Sequence, residues 1–163
     1  MGKDQVDTNI KYIKRCIELA SEALEAGDEP FGSILVSADG RVLHEARNRA
    51  MTGDPTQHPE FELARWAAQE LPVEERRTTV VYTSGEHCPM CAAAHAWAGL
   101  GRIVYASSSK QLGEWLVAFD APPLPLAPLG IPDIAPDVPV EGPFPGLDER
   151  VRALHARFHG AVG

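Results

Sequence analysis

Two short motifs with metal-ligand side chains constrain how this chain can fold. The first runs from His58 to Glu60, and the second, of the form C-x-x-C, runs from Cys88 to Cys91. Each motif stands at the predicted start of a helix. The partial positive charge and free N–H groups of a helix N-terminus favour the thiolate form of cysteine. Two helix N-termini that carry such ligands can therefore converge on one metal ion.

Apolar periodicity and turn residues predict alternating helices and strands. The first helix is expected to have Asp7 or Thr8 as its N-cap and Gly27 just after its end. Asp39 and Gly40 are typical of a tight turn in a hairpin. This order of elements predicts one mixed α/β layered domain over residues 1–163. The predicted helices are 10–24, 58–71, 88–99, 111–119 and 148–159, and the predicted strands are 31–37, 41–48, 79–83 and 103–106.

The segment 120–145 differs in composition, because it holds nine of the 14 prolines of the chain. Such a density of proline is predicted to exclude helices and central strands and to favour extended surface chain. A disordered linker is the alternative. Apolar anchors favour a segment that wraps over the body or over a partner subunit, ahead of the C-terminal helix at 146–159. These anchors are Leu124, Leu126, Leu129, Ile131, Ile134 and Val138.

Composition narrows the classes of partner and compartment. The formal net charge of −8 over 163 residues offers little attraction to phosphate backbones. No apolar run reaches the roughly 18 residues of a membrane span, and no apolar stretch of a signal peptide follows Lys3. The three cysteines are an odd number, which disfavours a disulfide framework and predicts a cytoplasmic protein. Cys16, beside an apolar helical stripe, is predicted to be a core thiol.

Three interpretations of the ligand motifs are open. The first is a catalytic zinc held by His58, Cys88 and Cys91, with an open fourth position. Glu60 then lies two residues from a ligand and accepts a proton from a metal-activated water. In the second, His87 or His95 closes a four-ligand structural zinc site. The third is a redox C-x-x-C pair, for which His58 and Glu60 have no use.

The pattern H-x-E followed by P-C-x-x-C is the signature of zinc-dependent deaminases. On these motifs the chain resembles the cytidine deaminase-like superfamily, and within it bacterial guanine deaminases and tRNA adenosine deaminases. The resemblance implies a three-layer α/β/α sandwich with a mixed central sheet, a Zn²⁺ cofactor and a homodimer. It also implies that the C-terminal tail packs at the active site of the dimer. The further matching positions are Pro30-Phe31-Gly32, Asn48, Asp54-Pro55-Thr56 and Trp97-Ala98.

The resemblance also suggests substrate-binding residues. Asn48 matches the asparagine that binds the substrate ring in the family. Phe31 is expected either to stack on a planar heterocycle or to belong to the core. Trp97 matches a family tryptophan, although a buried alanine-rich helix also needs one large side chain.

Two positions depart from the family pattern. Pro59 replaces an alanine whose N–H typically donates to the substrate ring, and proline has no N–H. The loss of that donor is expected to alter substrate preference. His87 replaces the proline that precedes the first cysteine in the family. It is either a simple loop substitution, or an extra hydrogen-bond donor in the pocket, or a partner that supports a metal ligand. Glu86 matches a family glutamate and is expected to help fix this loop.

These features predict a zinc-dependent hydrolase that deaminates a free nucleobase or a base-like heterocycle, as guanine deaminases do, and releases ammonia. A tRNA adenosine deaminase and a cytosine or cytidine deaminase are the alternatives. A zinc-stabilised interaction module is the non-enzymatic alternative. The acidic charge favours a small aminated heterocycle as the partner, and neither nucleic acid nor a membrane is expected. The last helix offers no basic tail for RNA, because Arg150, Arg152 and Arg157 alternate with acids and histidine.

Overall fold

A five-stranded mixed sheet forms the centre of the computed structural model, which describes residues 2–161. Its strands are β1 (Gly32–Val36), β2 (Val42–Arg47), β3 (Val80–Gly85), β4 (Arg102–Ser107) and β5 (Val140–Glu141). Their order in the sheet is β2-β1-β3-β4-β5. β1 is antiparallel to β2 and β3, whereas β3, β4 and β5 are parallel. The N-terminus of β1 and the C-terminus of β3 therefore lie at the same end of the strands.

Helices cover both faces of this sheet. They are α1 (Lys3–Glu25), α2 (Pro59–Glu70), α3 (Val73–Arg76), α4 (Pro89–Ala98), α5 (Ser109–Ala118), α6 (Ile131–Ile134) and α7 (Leu147–Phe158). α1 and α7 pack on one face with one apolar cluster, and α2 and α4 pack on the other face with a second cluster. The predicted three-layer α/β/α sandwich is confirmed. No helix within residues 2–161 combines the length and apolar character that crossing a bilayer requires.

α1 approaches β1 so closely that only glycine fits at position 32. A Cβ atom on Gly32 would lie 2.4 Å from the Cys16 carbonyl oxygen and 2.5 Å from the Leu19 Cβ. Cys16 itself is fully buried in this layer, as predicted for a core thiol. This contact presses the start of β1 against α1 and places the next residue, Ser33, inside the protein.

The first helix begins earlier than predicted. α1 starts at Lys3 with Gly2 as its N-cap, so neither Asp7 nor Thr8 caps it. The Thr8 hydroxyl instead donates to the Asp4 carbonyl within the helix. The N-terminal turn is largely exposed, so its polar residues remain helical without contributing to the apolar pattern. At the other end, Gly27 has φ of +91°, as predicted for a residue just after a helix.

The prediction that prolines exclude helices from 120–145 is wrong at one place. α6 is a single turn in which proline occupies the first turn, where a missing N–H breaks no helical hydrogen bond. Ile131 is fully buried, and α6 packs on α4, so this part wraps over the body. β5 adds an edge strand beside β4. Three of the predicted anchors, Leu124, Leu126 and Leu129, are exposed instead.

Candidate metal centre and active site

The two ligand motifs lie at the starts of neighbouring helices, as predicted. His58 is the N-cap of α2, and Cys88 is the N-cap of α4. Proline follows each cap, and its fixed φ suits the first helical position. α2 packs side by side with α4 and also contacts β1 and β2, while α4 begins just after the C-terminal end of β3, so the two helix N-termini meet near that end of the strand.

The ligand atoms of His58, Cys88 and Cys91 lie within 4.8 Å of one another. The Sγ atoms of Cys88 and Cys91 are each 3.6 Å from His58 Nδ1. A tetrahedral zinc with bonds of about 2.3 Å to sulfur and about 2.0–2.1 Å to nitrogen separates such atoms by about 3.6 Å. The donor set and its spacing therefore fit zinc.

The protonation of the three ligands also suits a cation. A hydrogen bond from the Cys91 thiol, together with one from His58, lowers the pKa of Cys88 to about 4. The same thiol contact and burial raise the pKa of Cys91 above its ordinary value. The contact with Cys88 raises the pKa of His58. Cysteine binds zinc as a thiolate, so binding of the metal releases the protons that these ligands carry.

Glu60 is 5% exposed and is held by two hydroxyl groups from the sheet. Its Oε1 lies 2.8 Å from the Thr83 hydroxyl and 3.2 Å from the Ser33 hydroxyl. Ser33 and Thr83 are cross-strand neighbours on β1 and β3. Burial raises the pKa of Glu60. Both hydroxyl contacts are to Oε1, and they leave Oε2 available to carry a proton.

Asn48 is fully buried and directly follows β2, at the end of the sheet where β1 begins and β3 ends. Its backbone N–H donates to the Phe31 carbonyl at 3.0 Å, and its Oδ1 accepts from the Ala50 N–H at 2.9 Å. Its Nδ2 is buried and has no hydrogen-bond partner in the described chain. The side chain thus has an unused donor, which suits the predicted contact with a substrate ring.

Phe31 packs on the α7 side of the sheet. Its ring lies edge-on to His155 with centroids 4.9 Å apart, and a Cβ atom on Gly85 would lie 3.2 Å from the Phe31 ring. The Phe31 side chain is partly buried and belongs to neither apolar cluster, so its core role also stays a prediction. Stacking of Phe31 on a heterocycle stays a prediction.

His87 is not in a surface turn, because it is 1% exposed. Its ring is edge-on to that of His95, with centroids 5.4 Å apart. Neither imidazole belongs to the metal group that the described residues form. A structural zinc site closed by four protein ligands would therefore lack its fourth ligand among the described residues. His87 lies in the loop before α4 with its side chain packed inside the protein, so the choice between a loop substitution and an extra donor stays a prediction.

Trp97 does not lie at the metal group in this chain. It is 90% exposed near the C-terminal end of α4, and Cys88 stands at the other end of that helix. The expectation that a buried alanine-rich helix needs this large ring is wrong. The side chains of Ala92 and His95 fill the buried face of α4 instead.

The side chains that hold Glu60 in place were not predicted from the sequence. Ser33 and Thr83 contact Glu60 only because β1 and β3 pair in a particular register, and no local pattern reports that register. Glu86 was expected to fix its loop, and its carboxylate indeed accepts from the Ser109 and Ile131 N–H groups at 2.9 Å and 2.7 Å. It thereby ties the loop before Cys88 to α5 and α6.

Known proteins show the same combination of fold and motifs. The profile described as "Cytidine and deoxycytidylate deaminase zinc-binding region" matches residues 6–107. The "Guanine deaminase" of Bacillus subtilis is 36% identical over 105 residues, which are 63% of this chain and 67% of that protein. The "Probable cytosine deaminase" of Schizosaccharomyces pombe is 32% identical over 106 residues, which are 65% of this chain and 64% of that protein.

Bacterial tRNA-specific adenosine deaminases match as well. Among solved structures, a mutant of NE0047 in complex with 8-azaguanine superposes with a TM-score of 0.68 at 21% identity. That match covers 92% of this chain and 84% of the other, and it supports the fold. The matched part of this chain spans about two thirds of the length of the two curated relatives above.

Proposed function

Because the chain belongs to the family of the cytidine and deoxycytidylate deaminase zinc-binding region, we propose that it is a zinc-dependent hydrolytic deaminase. Its proposed substrate is a free nucleobase or a base-like aminated heterocycle, as for guanine deaminases. The observation that carries the proposal is the buried Glu60 beside three ligands whose spacing fits zinc. Three protein ligands leave a fourth position for water, which is the arrangement of a catalytic zinc site.

Zinc, when bound, supplies a Lewis acid that lowers the pKa of a water to about 7. The chain supplies the proton carrier. Glu60 takes a proton from the attacking water at Oε2, while Thr83 and Ser33 hold Oε1 in place. It passes this proton to the ring nitrogen, then takes the remaining proton of the added oxygen and passes it to the leaving amine. The water oxygen bonds to the ring carbon, the bond from that carbon to the amino nitrogen breaks, and ammonia leaves.

Recognition of the ring is proposed to rest on the Asn48 side chain. Pro59 provides no N–H in the first turn of α2, so the donor expected from relatives is missing there. Asn48 Nδ2 is a buried donor without a partner among residues 2–161. A substrate with an acceptor at that point satisfies this donor, which otherwise carries the desolvation cost of an unpaired buried group.

Two observations favour a small heterocycle over RNA. The chain carries a net charge of −8, which repels a polyanion. A related crystal structure contains 8-azaguanine, an aminated purine analogue. Cytosine is the second candidate, because the "Probable cytosine deaminase" of Schizosaccharomyces pombe is 32% identical over the matched residues. The homodimer and the absence of nucleic acid among the partners stay predictions.

An ammonia-release screen of the zinc-loaded protein tests the proposal. The compounds are guanine, adenine, cytosine, their nucleosides, pterins, triazines and a tRNA anticodon stem. Release from a free base, abolished by a chelator and restored by zinc, is the expected result. Tight zinc binding without ammonia from any compound would instead identify a structural zinc module. Activity on the anticodon stem alone would identify a tRNA deaminase.

A further inference from the structure

Asp28 is a fully buried carboxylate that no part of the proposed mechanism uses. It lies between α1 and β1 and accepts hydrogen bonds from the segment that follows β2. Its Oδ1 accepts from the N–H groups of Met51 and Thr52 at 3.0 Å and 2.9 Å. The Thr52 hydroxyl lies 3.1 Å from Oδ1 and 2.9 Å from Oδ2. Arg47 Nη1 donates to Oδ2 at 3.2 Å.

These contacts surround Asn48 on both sides along the chain. The same Arg47 Nη1 also donates to the Asn48 carbonyl oxygen at 3.2 Å, so the guanidinium bridges Asp28 and the Asn48 backbone. Ala50, which precedes the anchored Met51, donates its N–H to Asn48 Oδ1 at 2.9 Å. Asp28 therefore holds the residues that fix both the backbone and the side chain of Asn48.

We propose that Asp28 is a positioning residue that sets the orientation of the Asn48 amide and thereby the hydrogen-bonding pattern that the pocket accepts. The proposal rests on the proposed function, in which Asn48 contacts the substrate ring. As long as Ala50 donates to Oδ1, Nδ2 is the atom left for the substrate. If the segment shifts, the amide is free to rotate by half a turn, and an acceptor replaces the donor. With Nδ2 facing the pocket, as in the structure, the substrate class is a heterocycle that presents an acceptor to Asn48.

An ionised carboxylate is the group that suits this task. Burial by itself raises the pKa of Asp28, but the hydrogen bonds from Thr52, Arg47 and Met51 outweigh it and lower the pKa below its ordinary value. The group therefore stays acceptor-only at neutral pH, and its two oxygens can accept from all these donors. An amide at this position has one acceptor oxygen and an NH₂ group, which faces another donor wherever it is placed.

The first test is a double-mutant cycle on the zinc-loaded full chain with D28N and N48A. The substrate is guanine, or the most active compound of the ammonia screen. D28N is expected to lower kcat/KM by about 10–100-fold, mainly through KM, which is the range for loss of a buried hydrogen bond. In the N48A background the same change is expected to cost less than about threefold, because Asp28 acts through Asn48. An effect of D28N that persists undiminished in N48A would overturn the proposal.

E141Q is the matched control. Glu141 is a partly buried carboxylate that, like Asp28, accepts from an arginine, at 3.1 Å from Arg102; it also accepts from Asn9. It lies on β5 and does not contact the segment around Asn48. E141Q is expected to change kcat/KM by less than about twofold while it lowers the melting temperature. An equal loss of kcat/KM in E141Q and D28N would show that loss of any such carboxylate reduces activity, and the positioning role would be rejected.

R47M serves if D28N does not fold. This change removes the bridge between Asp28 and the Asn48 carbonyl but leaves the contacts of Asp28 with Met51 and Thr52. R47M is expected to raise KM in the same direction as D28N, with zinc content unchanged. A wild-type KM in folded, zinc-loaded R47M would contradict the proposed coupling.

A second readout separates this proposal from the proposed function. The side-chain amide signals of Asn48 in a ¹⁵N-labelled protein are assigned by their loss in N48A. They are expected to shift and broaden in D28N and to stay in place in E141Q. This result is measurable even if the wild-type protein releases ammonia from no compound, in which case only the proposed function fails. Unchanged Asn48 signals in D28N would overturn the positioning role by themselves.

Discussion

Two groups of polar residues, on opposite sides of the sheet, differ in how completely they are paired. The first, the edge network, consists of Asn9, Tyr82, Arg102 and Glu141. The Tyr82 hydroxyl donates to Asn9 Oδ1 at 3.0 Å, and Asn9 Nδ2 donates to Glu141 Oε2 at 3.1 Å. Arg102 donates to the same carboxylate. This network joins α1 to β3, β4 and β5.

The second group, the metal end, consists of His58, Glu60, Cys88 and Cys91 with Asn48. It leaves Asn48 Nδ2 without a partner in the described chain, and burial raises the pKa of Glu60. Paired polar groups stabilise the folded state. An unpaired buried donor or a carboxyl group with a raised pKa destabilises it, and a bound ligand can offset that loss of free energy. The comparison indicates that changes in the edge network affect stability and changes in the metal end affect turnover.

The largest expected effect at the metal end is the loss of a ligand. Cys88→Ala removes the thiolate of the group, so zinc content per chain is expected to fall sharply and ammonia release to reach background. Atomic absorption and the ammonia assay measure the two quantities. Cys16→Ala is the matched control, because that thiol is buried in the core away from the ligands. A variant Cys88→Ala that keeps both zinc and turnover would exclude this metal site.

Glu60→Gln keeps the shape of the side chain but cannot carry the proton. We expect turnover to fall by about 10²–10⁴-fold, the usual contribution of a general acid–base, with zinc content unchanged. Glu62→Gln is the control, since this exposed acid lies in the same helical turn. Near-normal deamination by the Glu60 variant would remove Glu60 from the mechanism.

His155, which packs against Phe31, is expected to make the stability of the protein depend on pH. Burial lowers the pKa of His155 to about 3. His155 therefore binds a proton below about pH 6.5 in the unfolded chain but not in the folded chain. As a result, the free energy of unfolding decreases as pH falls from about 6.5 towards 3. At pH 5 this group accounts for about 2 kcal/mol of that loss. Denaturant melts are expected to show a smaller decline from pH 7 to 5 in His155→Phe, and an unchanged decline would contradict the assignment.

Tyr82→Phe has the smallest expected effect and concerns the edge network. Loss of the hydroxyl bond to Asn9 is expected to lower the free energy of unfolding by about 1 kcal/mol and to leave kcat/KM unchanged. Tyr105→Phe is a control of the same chemistry. Urea denaturation and the ammonia assay measure both variants. A loss of activity with unchanged stability in Tyr82→Phe would break the separation between the two groups.

Much of the fold was predictable because its signals are local. The starts of α2 and α4 follow from a cap residue and a proline within a few positions of His58 and Cys88. The β1–β2 hairpin follows from its turn, where Gly40 has φ of +88°. The short helix α6 was missed, because proline is compatible with the first turn of a helix and incompatible only with later positions.

The surroundings of the site were less predictable. Trp97 was expected in the pocket or in the core, yet it is 90% exposed. An alanine-rich helix has a weak apolar pattern, so the buried face of α4 could not be read from residue types. The roles of Ser33, Thr83 and Asp28 depend on partners that are tens of residues away in the chain.

The sequence alone determined the ligand types, their spacing and the two helix starts that present them, because these depend on neighbours within one helical turn. Tertiary structure alone decided that two hydroxyls meet at Glu60 and that Asp28 reaches the segment around Asn48. It also decided that His87 is buried beside His95. The physical reason is that strand register and the packing of α1 on β1 bring together residues that share no local pattern. Hydrogen bonds between such residues arise only once the whole sheet has formed.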